Sequence, residues 1–306
     1  MTEFAVCIFG PTGAGKSALA INLAKNCGEI ISADSRQIYK YMDIGTAKPD
    51  QNELKEVKHH LIDIITPDIQ FTAGKFKIEA QKLIKVIIKK DMIPFLVGGT
   101  GLYFSSLTRG MINIPAIDEK IKEDLNTKLK IIGQERLFKI LERMDNEYSK
   151  KIHPNDKQRT LRALEVMIGT KKKFSYFLKQ NNQKENRKYI TIGINTDREK
   201  LYNIINNRVD KMIDAGLVKE VEKILAMGYK KDDPGMKTIG YKEIVDYLEG
   251  SISLDEAVYL IKRNSRRYAK RQLVWFRKVE DVNWFENTDY DSIKSFINKK
   301  IKDIVE

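Results

Sequence analysis

The sequence predicts an α/β protein: a parallel sheet core with helices on both faces, interrupted by an inserted all-helical domain. Three observations predict it. Short apolar runs alternate with helix-like segments through the first third of the chain, and a glycine-rich loop joins the first run to the first helix. After Gly110 the pattern turns to helices alone until an apolar run resumes at Tyr189.

In chain order, Phe4 to Phe9 reads as a strand and Ser17 to Asn26 as a helix. Glu29 to Ala33 and Leu61 to Ile65 read as strands, Phe76 to Lys90 as a helix, and Ile93 to Val97 as a strand. Strands so continuously apolar are covered on both faces, and in a parallel sheet their carboxyl ends gather on one rim where ligands bind. Helices follow at Glu119 to Ile131, Gln134 to Met144 and Asp156 to Ile168, with a polar stretch from Lys179 to Lys188 behind them. Tyr189 to Asn195 returns to the sheet, and Asp197 to Asp214 opens a helical remainder. The expected division is therefore a phosphate-loop core of residues 1–112 and 189–306, with a helical insertion of residues 113–188.

Composition bounds the function. A chain of 306 residues is long for one core, and 42% hydrophobic with 32% charged residues is ordinary globular usage, which excludes a chain too polar to collapse. Lys and Arg number 55 against 42 Asp and Glu, a formal charge of +13 that attracts polyanions, nucleic acid first among them. The same surplus arises in a chain that is simply lysine-rich throughout, so charge alone does not decide. Only Cys7 and Cys27 occur, which leaves neither a disulfide framework nor a cysteine zinc site and fits a reducing cytoplasm. Glu3 and the short apolar start give no export signal, and no apolar run is long enough to span a membrane.

Gly10-Pro11-Thr12-Gly13-Ala14-Gly15-Lys16-Ser17 satisfies the eight-position Walker A pattern, with a strand before it and a helix after it. The glycines permit a tight loop with inward N–H groups, and the helix start adds unpaired donors and partial positive charge. Lys16 supplies a full charge, and the Ser17 hydroxyl suits Mg²⁺. Kinases, GTPases and other transferases share this loop, so the acceptor must be sought elsewhere. Asp34 follows a strand on the same expected rim. It reads as a catalytic carboxylate, as a capping or turn residue, or as a metal ligand.

Longer strings carry a resemblance. They are Gly10-Pro11-Thr12, Ser32-Ala33-Asp34-Ser35-Arg36-Gln37-Ile38-Tyr39, Met42-Asp43-Ile44-Gly45-Thr46-Ala47-Lys48-Pro49 and Val97-Gly98-Gly99-Thr100-Gly101-Leu102-Tyr103. His153-Pro154-Asn155-Asp156, Gln158-Arg159, Arg162-Ala163-Leu164-Glu165 and Ile239-Gly240-Tyr241 complete the set. In this order, over nearly the whole chain, they resemble the bacterial tRNA dimethylallyltransferases. Tyr41 stands where that family usually has glycine, and Lys58 where proline is common, both in loops.

The resemblance implies prenyl transfer from dimethylallyl diphosphate to the exocyclic amine of the adenine 3′ of the anticodon, in tRNAs reading codons that begin with U. It implies Mg²⁺, a helical insertion that closes on the anticodon stem-loop, and a monomer. Asp34 becomes the base toward the amine, Lys16 and Arg208 the groups on the diphosphate, and Thr100 a contact near the extruded base. For RNA grip it points to Asp34, Ser35, Arg36, Gln37, Thr100 and Lys122, and to Gln158, Arg159, Thr160, Leu161 and Arg162. Arg159 and Arg162, three apart, share a helical face. The basic segment Asn264 to Arg277 is expected to place its aromatics in the core and its cations in the field that attracts the stem.

Two other classes fit the loop. A kinase moving phosphate from ATP to a small molecule or nucleotide would use it with Asp34, and a nucleotide-regulated RNA-binding protein would need only the loop and the charge.

Overall fold

The computed structural model describes residues 3–112, 114–180 and 187–306. Six strands form one sheet: β1 (Phe4–Phe9), β2 (Gly28–Ser32), β3 (His59–His60), β4 (Ile93–Gly98), β5 (Lys188–Asn195) and β6 (Asn283–Glu286). Their order is β3-β2-β4-β1-β5-β6, and every neighbouring pair is parallel. All carboxyl ends therefore lie on one rim.

Strand periodicity sorts β1 between two cores. Val6 and Ile8 pack with α1 (Lys16–Ala24), Phe95 and Val97 of β4, and Ile293 and Ile297 of α13 (Tyr290–Val305). Ala5, Cys7 and Phe9 face the other way, toward α3 (Ala73–Ile88) and α4 (Gly101–Thr108). The end of α12 (Leu254–Phe276) joins this second face, where Phe276 stacks on Phe9 with ring centroids 4.5 Å apart. A third cluster links Ile38, Tyr39 and Met42 to α9 (Arg198–Asp214), α10 (Leu217–Ala226) and α11 (Tyr241–Leu248). The short α2 (Gln51–Glu56) starts on a capping box between Asp50 and Glu53.

The chain divides into two compact units, Met1–Thr108 with Asn186–Glu306, and Arg109–Glu185. The second is all helical: α5 (Glu119–Met144), α6 (Asn146–Ser149), α7 (Lys157–Thr170) and α8 (Phe174–Lys179) enclose their own core of Leu125, Leu137, Leu141, Leu164 and Met167.

One expectation needs correction. Leu61 to Ile65 is no strand: Leu61 and Asp63 have φ of 62° and 56°, which breaks an extended run, and pairing stops at His59–His60 apart from a bridge between Tyr39 and Ile65. The helices expected at Glu119 to Ile131 and Gln134 to Met144 are present as the two halves of α5, separated at Gly133, whose φ of 77° lies outside the right-handed helical region. The polar stretch from Lys179 to Lys188 falls largely outside the described residues. Among the described residues no helix is long and apolar enough to cross a membrane.

Candidate active site

Three loops leave the same rim from neighbouring strands. The phosphate loop follows β1, the Asp34 loop follows β2, and the Gly99–Thr100 turn follows β4, which lies between the other two.

In the phosphate loop, Gly13 and Gly15 adopt φ of 84° and 75°, a conformation that side chains with a Cβ rarely take. Gly15 caps α1 without a side-chain bond, so the first amides of the helix are left for an anion. Not every position offers a donor. Pro11 has no N–H, the Ala14 amide bonds the Pro11 carbonyl at 3.2 Å, and the Thr12 amide donates to Gln272 Oε1 at 2.9 Å. Gly10, Pro11 and Ala14 are buried and shape the loop, while Ser17 is exposed on the first turn of α1.

Lys16 and Arg208 converge on this loop. Lys16 Nζ donates to the Pro11 carbonyl at 2.7 Å. Arg208 donates from Nη1 to Thr12 Oγ1 at 3.0 Å and from Nη2 to the Thr46 carbonyl at 3.5 Å. Burial pushes the Lys16 ammonium down to about 8, with Asp34 opposing the fall and Arg208 adding to it. Burial likewise lowers Arg208, again opposed by Asp34. The Asp34 carboxylate therefore acts electrostatically on both cations of the phosphate loop.

Asp34 sits in a turn that fixes its direction. Its Oδ1 accepts from the Arg36 amide at 2.8 Å, and Thr100 Oγ1 accepts from the next amide, Ser35 N, at 3.0 Å. The Thr100 amide returns a bond to the Ala33 carbonyl at 3.2 Å, so the two turns are stitched together. Gly98 is required at this crossing, because a Cβ there would run into the Ala33 backbone. Arg36 Nη1 donates to the Pro234 carbonyl at 3.2 Å, and the Gln37 amide bonds Ser32 Oγ and the Ala47 carbonyl, each at 3.0 Å. These residues build the rim as well as line it.

In the helical unit, Lys122 projects from α5 and pairs with Glu119 at 2.6 Å. Gln158, Arg159 and Arg162 are exposed on α7, where Arg159 pairs with Asp156 at 3.5 Å and Arg162 with Glu165 at 2.5 Å. Thr160 and Leu161 correct the expectation of a continuous contact strip. Thr160 is fully buried, its hydroxyl donating to the Asp156 carbonyl at 2.8 Å and bonding Gln134 at 3.0 Å, so its side chain cannot touch RNA. Leu161 packs half-buried against the core of its own unit.

Sequence reasoning expected the aromatics of α12 to face inward but missed the polar residues aligned with Tyr268. Tyr268, beside Thr100, has its phenol pushed up to about 12 by burial and by Asp34. Gln272, one turn on, reaches two loops at once: besides the Thr12 amide, its Nε2 donates to the Gly99 carbonyl at 2.8 Å. The available signal was spacing. Asn264, Tyr268 and Gln272 are uncharged polar residues four apart in an otherwise basic helix, a stripe that faces inward.

The chain is similar to known proteins along most of its length. A sequence profile described as IPP transferase matches residues 37–279. The chain is 49% identical over 293 residues to a tRNA dimethylallyltransferase of Acetivibrio thermocellus, covering 95% of this chain and 94% of the relative. It is 44% identical to that of Thermotoga maritima, covering 95% and 96%. Among solved structures, the full-length tRNA isopentenylpyrophosphate transferase of Bacillus halodurans superposes with a TM-score of 0.74 at 38% identity, over 99% of this chain and 98% of that one. A eukaryotic dimethylallyltransferase acting on tRNA superposes with a TM-score of 0.80 at 26% identity, over 98% of this chain and 78% of that one. A profile that spans most of the chain, and relatives matched along almost their entire length, lead to one conclusion: the chain belongs to the IPP transferase family.

Proposed function

We propose that the protein transfers a dimethylallyl group from dimethylallyl diphosphate to the N6 amine of the adenosine 3′-adjacent to the anticodon, in tRNAs reading codons that begin with U. The relatives' names support the reaction class. The observation that carries the chemistry is the shared rim, on which the Asp34 charge acts on Lys16 and Arg208 together.

The adenine amine is a weak nucleophile, because its lone pair is delocalised into the ring, so the barrier is lowered largely at the leaving group. The allylic C1–O bond breaks, the N6–C1 bond forms, diphosphate departs with the electron pair, and the amine proton passes to Asp34. Lys16, Arg208 and the first amides of α1 stabilise the negative charge that builds on the departing oxygen. Asp34, oriented by the Arg36 amide, accepts a hydrogen bond and then the proton. Thr100 holds the Asp34 loop through Ser35 and stands where the extruded base enters.

Among the described residues no group of three His, Cys, Asp or Glu is arranged to hold an ion. Mg²⁺ fits differently: the exposed Ser17 hydroxyl supplies one hard oxygen, and the diphosphate itself supplies others. Bound there, the ion would neutralise the diphosphate as it leaves. Gln158, Arg159, Arg162 and Lys122 are the candidate contacts to the anticodon stem-loop.

Labelled dimethylallyl diphosphate and unmodified tRNA test the proposal, with labelled ATP and small acceptors in parallel. Digestion of the tRNA should yield a nucleoside carrying one dimethylallyl group in place of a hydrogen. Label reaching a small acceptor from ATP, with the tRNA unchanged, would show a kinase instead.

A further inference from the structure

The inward polar stripe of α12 runs from α11 to the turns that carry the rim. Asn264 Nδ2 donates to Glu243 Oε1 at 2.8 Å, and the other oxygen of Glu243 accepts from the Gly240 amide at 2.8 Å. Tyr268 lies beside Thr100. Gln272 closes the series by bonding the phosphate loop and the Gly99–Thr100 turn simultaneously.

We infer that Gln272 is a positioning residue for prenyl transfer: its carboxamide sets the separation between the diphosphate loop and the turn that carries Thr100 and, through Ser35, Asp34. The inference rests on the function proposed above. The two partners demand opposite chemistry, since the Thr12 amide only donates and the Gly99 carbonyl only accepts. That fixes which end of the carboxamide is oxygen and which is nitrogen. Of the side chains of this length, glutamine alone accepts and donates in that geometry without taking up a proton. Asn has both groups but falls short by one carbon–carbon bond, about 1.5 Å. Gln272 is only 6% exposed, so a missing bond is not replaced by solvent at no cost. The helix supporting it is itself fixed one turn later, where Phe276 stacks on Phe9 at the end of β1.

The consequence is kinetic. The leaving oxygen is held by one loop and the amine's proton acceptor by the other, and misplacing reacting groups by about 1 Å costs on the order of a hundredfold in rate. Substrate RNA also binds elsewhere, so its affinity should barely change.

Gln272→Met and Gln272→Glu test this. Methionine keeps the volume and loses both bonds. A glutamate carboxylate accepts from the Thr12 amide but cannot donate to the Gly99 carbonyl, whereas its protonated form does both. Lys16 on α1, Arg208 on α9, Asp34 and Arg36 after β2 and Arg271 on α12 are charged groups near this site, and all are present in both variants, so a ratio between the variants cancels them. We expect kcat near neutrality to fall roughly ten- to a hundredfold in both, with KM for tRNA within about twofold of wild type. From about pH 9 down to about pH 6, kcat of Gln272→Glu should climb relative to Gln272→Met. A packing role alone would not produce that climb, and neither would misfolding. Wild-type kcat in Gln272→Met, or a flat ratio across the pH range, overturns the inference. A wild type that transfers no prenyl group overturns the proposed function instead, a result distinct from an active wild type whose variants match it.

Discussion

The Tyr241 hydroxyl donates to Glu220 Oε1 at 2.5 Å, and the same carboxylate accepts three consecutive backbone amides, from Asp43 at 3.0 Å, Ile44 at 2.9 Å and Gly45 at 3.3 Å. An internal carboxylate thus occupies a nest of N–H groups and pins the loop whose Thr46 and Ala47 carbonyls receive Arg208 and Gln37. Glu220→Ala strands the three amides and the phenol together, whereas Tyr241→Phe removes one bond and leaves the nest filled. Urea denaturation should show a loss of about 1–3 kcal/mol for Tyr241→Phe and a larger one for Glu220→Ala. The reverse order would mean that the nest is not what holds the loop.

Asp34→Asn keeps size and one acceptor but loses basicity. It should bind tRNA as wild type does and turn over at least about a hundredfold more slowly in single-turnover assays with dimethylallyl diphosphate. Undiminished turnover would remove Asp34 from the reaction.

Lys16 gives a stability prediction with a definite sign. In the folded chain burial pushes it down to about 8, below the ordinary lysine value of 10.5. Between these values the unfolded chain holds a proton that the folded chain has released, so this group adds stability as pH rises through the window. Below it, a buried charge weighs against folding. Lys16→Met should therefore be more stable than wild type at neutral pH, by up to on the order of 3 kcal/mol. That advantage should shrink as pH rises from about 8 to about 10.5, while diphosphate binding is lost throughout. Thermal or urea unfolding of both proteins across that range measures the difference, and an advantage that grows with pH would contradict the assignment.

Arg159 and Arg162 are exposed, and among the described residues they form ion pairs with Asp156, which caps their helix, and Glu165, which lies on it. Phosphate would compete with Asp156 and Glu165 for them. Replacing either by alanine should flatten the dependence of log affinity for tRNA on log salt by about one unit. Binding measured at a series of salt concentrations checks this, and an unchanged slope assigns the pair to the helix surface alone.

The parts of this site that were legible in the sequence are local. The phosphate loop announces itself because Gly13, Gly15, Lys16 and Ser17 act within eight residues, and Asp34 could be put on the same rim because parallel strands share a carboxyl edge. Thr160 illustrates a signal present but unused, since it is in register with the buried Ala163, Leu164 and Met167, the spacing of an inward stripe. The Leu61 to Ile65 run was apolar enough to be buried, but apolarity does not report φ, and two left-handed residues turn it away from the sheet. Gln272 and Glu220 were harder. Each acts across more than 170 residues on a backbone amide, and an amide leaves no trace in the side-chain pattern.

The sheet order carries a consequence for synthesis. β1 is central and pairs with β4 on one side and β5 on the other, yet β5 follows the helical unit in the chain. While the ribosome has released only the first 108 residues, the nascent sheet can contain β3, β2, β4 and β1, with one whole edge of β1 lacking its partner. That edge, built from Phe4 to Phe9, is a template for pairing with another chain until β5 emerges. The time spent translating the intervening helices is a window of exposure, and it closes only when β5 covers that edge.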